Sequence, residues 1–152
     1  MSKEKVENQN AVISKEKYGE LLRCIDLHDI YLTDAKMSAN RDALLAGANV
    51  ALSFKEEIKL AHTSQDSARV FVDYSFRGKS GNRIVISIFV RFTVVFQLKS
   101  DSPFPVEFFD VYNKSSLPFQ TFPYFREFVQ STVARMGLPP LVLPLRKSIP
   151  VK

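Results

Sequence analysis

The residues of this chain that could do covalent chemistry are few and scattered. Cys24 and Ser131 are candidate nucleophiles, and His28 and His62 are the available bases, yet no nucleophile sits at a local spacing that would pair it with a base. The histidines have no Cys or His neighbour at ligand spacing, and neither a Glu-x-x-His nor a Cys-x-x-Cys pattern occurs. Gly78-Lys79-Ser80 has the ending of a phosphate-binding loop. Such a loop needs another glycine five residues earlier, where Asp73 stands, and it must open a helix, whereas Asp73 falls in a strand pattern. The residues therefore point to no catalytic group, no metal and no cofactor, and to a protein that is not an enzyme.

What remains is binding. From Arg69 to Lys99 the basic residues Arg69, Arg77, Lys79, Arg83, Arg91 and Lys99 face only Asp73, and this segment carries the basic balance of a chain whose net charge is +5. With Phe71, Tyr74 and Phe89 such a hairpin could track phosphates and stack bases. The cations come singly along the strands and do not cluster, which leaves nucleic acid the weaker reading. Thirteen phenylalanines and an apolar C-terminal stretch offer adaptable apolar area for other polypeptides instead.

At 152 residues the chain can bury one proper core. A polar stretch, 1–13, reads as a disordered tail ahead of a single domain, 14–152. No apolar run approaches the roughly 18 residues of a membrane helix, and MSKEKVENQN leads into no secretory h-region, so a soluble, cytoplasmic protein without a membrane partner is expected. A lone Cys24 agrees with a reducing compartment.

Hydrophobic periodicity supplies the elements. Ser14 caps a short helix with Tyr18, Leu21, Leu22 and Ile25 on one face. A first strand follows over 25–38, with imperfect alternation that signals a bulge, and 40–47 reads as a loop. Val50, Leu52, Phe54, Ile58 and Leu60 alternate in a second strand, spoiled only by Glu56; Val70, Val72, Tyr74 and Phe76 form a third. Residues 77–83 read as a hairpin loop with two glycines. The return strand carries an apolar row from Ile84 through Ile86, Ile88, Val90, Phe92, Val94 and Phe96 to Leu98, and its opposite row includes Val85, Phe89 and Val95. A strand of about 15 residues exceeds the usual five or six, so part of it should meet a partner chain or extra apolar cover.

A short helix is expected within 102–113 and a loop over 114–120. Pro123 suits the first turn of a long helix that Gly137 stops, and Phe125, Phe128, Val129, Thr132, Val133 and Met136 form one stripe on a 3.6-residue period. If that stripe lies on the sheet, truncating Phe128 costs roughly 3–5 kcal/mol. Beyond Gly137, Leu138, Leu141, Leu143 and Leu145 alternate with prolines in an extended segment, 137–152, that cannot fold alone. The order implies an α+β fold, a four-stranded antiparallel sheet with helices packed on one face.

Phe122-Pro123-Tyr124-Phe125-Arg126-Glu127 resembles the opening of the last long helix in the SecB family of export chaperones. The continuation to Leu141 resembles the SecB-like branch, which includes chaperones of toxin–antitoxin systems. What the resemblance implies is an ATP-independent holdase, a dimer or dimer of dimers, that keeps unfolded polypeptide in apolar grooves between sheet and crossover segment. Carried onto this chain, Leu52, Phe54, Leu138, Leu141 and Leu143 are the candidate groove residues. Phe89, Val95 and Gln130 are the candidates for the oligomer interface. SecB proteins end in a helix that lids the groove, whereas only Arg146 to Lys152 follows here. They also present acidic residues to the SecA motor, and although Asp34 matches one, Ser38 stands where a Glu is usual. Opposite charge at a docking face weakens association. The resemblance thus favours a dedicated client, such as an antitoxin, over general delivery of preproteins to the export machinery.

Overall fold

A computed structural model of the protein describes residues 13–47, 49–99 and 101–143. Most of the N-terminal tail, and residues 144–152 with the question of a lid, lie outside the described residues. The elements are α1 (Lys15–Arg23), β1 (Ile25–Ala39), α2 (Arg41–Leu45), β2 (Ala51–Thr63), β3 (Ser67–Ser80), β4 (Arg83–Leu98), α3 (Val106–Ser115) and α4 (Leu117–Arg135). The strands make one sheet in the order β1-β4-β3-β2, every neighbouring pair antiparallel. Ser14 caps α1, its hydroxyl accepting the Lys17 amide, and Ile13 already packs against the core. Leu21 is the residue α1 buries; Leu22 turns to solvent and Ile25 opens β1.

Alternation on β3 and β4 decides which side of the sheet is dry. Val70, Val72, Tyr74 and Phe76, with Ile88, Val90, Phe92, Val94 and Phe96, are at most 5% exposed. Onto this face α4 sets Phe125 and Val129, and α3 sets Phe108, Phe109 and Tyr112. Tyr74 stacks on Phe125 at 4.6 Å, and Phe96 meets Tyr112 edge-on at 5.5 Å, so aromatic pairs join the two layers. Two bulges bend β1, each adding an unpaired residue, His28 and Thr33, to the strand.

Four expectations need correction. The 40–47 stretch is not all loop, because Asn40 accepts the Ala43 amide at 3.0 Å and caps the five-residue α2, too short to show a period. The hairpin closes on Gly81 and Asn82 alone, with Gly81 at a φ of 59°, and Gly78 lies inside β3. The apolar row of β4 fails at its start: Ile86 pairs with Gly78 and Ile84 with Lys79, so Val85 is the extra residue of a bulge. That bulge turns Ile84 to the face opposite Ile86, where it is 46% exposed. Finally α4 begins at Leu117, because Pro118 occupies the first turn and Pro123 lies inside the helix. Only Ser116 separates it from α3. Pro123 has no N–H to give the Phe119 carbonyl, and both residues are exposed, where water can take that acceptor.

The α4 stripe is therefore longer than its sequence period suggested, running from Leu117 and Thr121 through Phe125 and Val129 to Val133. Phe125 is fully buried and Phe128 only half-buried at its margin. Phe125→Ala should cost about 3–5 kcal/mol in urea unfolding, and Phe128→Ala about 1–2, less than the sequence alone implied. Equal losses would place Phe128 in the core.

Candidate functional site

Helix α4 ends in a way that dictates where the chain goes next. Gly137 takes a left-handed φ of 67°, its amide bonds to the Ala134 carbonyl at 3.0 Å, and the Leu138 amide reaches back to Val133 at 3.3 Å. This double closure brings the side chains after and before the stop, Leu138 and Val133, to the same place. Together they wall an open apolar cavity of about 240 Å³. Its other sides are Leu44 of α2, Val50 and Leu52 at the start of β2, Phe76 and Ile86 of the central strands, and Pro139 to Leu141 of the exit segment.

Gly78 lies beneath three of these side chains. A Cβ at this position would lie 2.6 Å from Ile86 Cγ2, 2.7 Å from Val50 Cγ1 and 3.3 Å from Leu52 Cδ2. Its bare backbone lets three apolar side chains close in over β3. On the rim, Leu52 is 55% exposed, and Phe54, two residues along β2, is 45% exposed. Phe54 leans on Phe122, Phe125 and Tyr74 at 5.7–5.8 Å between ring centroids. The exit segment is pinned at its far end by Arg126, whose Nε donates to the Leu143 carbonyl at 2.7 Å.

Of the groove residues expected from sequence, the structure brings Leu52, Leu138 and Leu141 into the cavity, sets Phe54 beside it, and buries Leu143 below the segment. Leu44 and Gly78 went unnoticed as contributors. The signal for Leu44 was the Asn40 cap, and Gly78 was hidden by its resemblance to a turn glycine. Phe89, Val95 and Gln130 do not share a surface: the first two lie on the sheet face away from the helices, and Gln130 is on the outer side of α4. Among the described residues nothing gathers catalytic or metal-binding groups. Four residue steps of chain, roughly 13 Å if extended, separate Cys24 from His28, and His62 is on the other edge strand. Ser131 Oγ is spent on the Phe128 carbonyl. No group of His, Cys, Asp and Glu among the described residues could hold a metal ion. No helix among them is long and apolar enough to cross a membrane.

No family model matches the chain, and none of the curated proteins does. Among solved structures it is similar to the Mycobacterium tuberculosis SecB-like chaperone in complex with a ChAD peptide from the HigA1 antitoxin. The TM-score is 0.69 at 22% identity, covering 87% of this chain and 98% of that one. A Streptococcus agalactiae protein of unknown function matches at 12% identity over 80% of this chain and 97% of that one, with a TM-score of 0.45, too loose to argue from. The fold is that of a SecB-like chaperone.

Adding a Cβ beneath these side chains tests how the cavity is built. Gly78→Ala should force Val50 and Ile86 apart, lower stability by about 1–3 kcal/mol, and reduce the fluorescence of an apolar dye bound by the protein. Unchanged melting together with unchanged dye binding would mean that the cavity does not depend on this glycine.

Proposed function

We propose that the protein is an ATP-independent SecB-like holdase that binds unfolded polypeptide, with an antitoxin as its dedicated client. The observation that carries this reading is the open apolar cavity between β2 and the exit segment of α4, on a fold shared with a chaperone whose structure holds an antitoxin peptide. A cavity of about 240 Å³ accepts one or two large apolar side chains, and the exposed Leu52 and Phe54 continue it along β2 for the next residues of an extended client. Such a site recognises apolar side chains without demanding a particular sequence, as a holdase requires.

Self-assembly is part of the reading. On the helix side of β1, Leu27, Leu32 and Met37 are each 46% exposed, Met37 bordering a depression shared with Phe128 and Met136. Three such side chains along one strand are the kind of apolar row that a second copy covers.

A carboxylate placed in the groove is poorly tolerated in apolar surroundings. Leu141→Asp and Leu52→Asp should each weaken binding of an antitoxin-derived peptide at least tenfold and abolish the delay of aggregation when a chemically unfolded protein is diluted beside the chaperone. Retained activity in both variants removes the groove from the mechanism. By light scattering the parent protein should be a dimer or larger, and Leu32→Lys should shift it to monomer; a monomeric parent contradicts the assembly.

A further inference from the structure

The sheet face turned away from the helices divides into two halves of different charge. Toward the β3–β4 turn, successive rows across β1, β4, β3 and β2 read Ser38, Ser87, Arg77, Ser53 and then Lys36, Phe89, Ser75, Lys55. Beyond them Lys79 is paired with Ile84, which the bulge at Val85 has turned onto this face. No carboxylate stands in these rows. Lys36, Arg77 and the serines Ser38, Ser75 and Ser87 surround a shallow depression of about 350 Å³ with half-buried Phe89 at its base. The next row, Asp34, Arg91, Asp73 and Glu57, is acidic and only partly compensated. Arg91 grips Asp73 through Nε and Nη2, both at 2.7 Å, and Glu57 lies 2.6 Å from Lys55. Further along β1 come Asp29 and Asp26.

We propose that the half-face around Lys36, Arg77 and Phe89 docks a short acidic polypeptide segment of a partner protein, separately from the client groove on the other side of the sheet. Charge complementarity selects the sign. Lys36 and Arg77 stand on strands two apart, roughly 10 Å across the sheet, and successive same-side carboxylates on an extended chain are roughly 7 Å apart, within reach of both cations. Exposed Ile84 and the edge of Phe89 give an apolar side chain of the same segment a seat, and the three serine hydroxyls can donate to carboxylate oxygens. The extent of the patch argues for a peptide over a nucleic acid. From Lys79 to Ser75 the acid-free zone is roughly 13 Å long, room for about two phosphates, before a nucleic-acid backbone would meet Asp34. Nucleic-acid affinity grows with the number of phosphates neutralised, and two give little.

The test uses the full chain and a synthetic peptide of about ten aspartates and glutamates around a central leucine, with binding followed by fluorescence anisotropy at low salt. The peptide should bind, and the double variant Lys36→Glu with Arg77→Glu should weaken it at least tenfold. Both side chains are exposed, so aggregation suppression should persist. Lys15→Glu with Lys17→Glu, an equal charge reversal on α1 across the sheet, should leave peptide affinity within twofold. Any of four results overturns the proposal: no peptide binding at low salt; a double variant within twofold of the parent; tighter binding of a single-stranded oligonucleotide of matched charge; or a lower light-scattering mass for the double variant, which would show a second copy covering this face.

Discussion

One tyrosine sets the position of the long helix on the sheet. Tyr74 is fully buried, lies nearly parallel to Phe125 at an interplanar angle of 16°, and shares a 2.6 Å hydrogen bond with Thr121. Because the Thr121 hydroxyl donates to the Leu117 carbonyl at 3.1 Å, the phenol is left as the donor to Thr121. A one-residue slip of α4 would rotate it by roughly 100°, unstack the rings and break the Tyr74–Thr121 hydrogen bond inside the core. With α4 held at this axial position, its left-handed stop delivers Leu138 to the cavity and nowhere else.

Strands were legible where alternation was unbroken, since a period of two has no helical counterpart and names the buried side directly. The reading failed where one extra residue reset that alternation, as at Val85, because an inserted residue changes the face of everything before it while leaving composition untouched. Helix starts were obscured by two prolines five residues apart. Either Pro118 or Pro123 satisfies the rule for a first turn, and only the burial of Leu117 and Thr121 decides for the earlier one. A five-residue helix such as α2 has too few positions to display a period, so its contribution to the cavity through Leu44 could not be read from pattern.

That Leu52, Leu138 and Leu141 would come together was legible through resemblance and through the apolarity of the exit segment, which required a bed. The role of Gly78 was not, because a glycine selected for missing volume and one selected for backbone angle look alike in sequence. Here the distinction is plain: Gly81 has the positive φ and open space around it, whereas Gly78 has neighbours within 3 Å of an absent Cβ.

The ends of the sheet carry a further consequence if the protein holds aggregating chains as proposed. Its outer strands are long, 15 residues in β1 and 13 in β2, and a flat strand of that length would template the growth of disordered β-stacks. Both are bent by register shifts, and both carry charge on the face away from the helices: Asp26, Asp29 and Asp34 on β1, and Lys55, Glu57 and Lys59 on β2. For the proposed holdase, bent and charged borders would keep sticky polypeptide to the side-chain groove and withhold the backbone as a seed for co-precipitation.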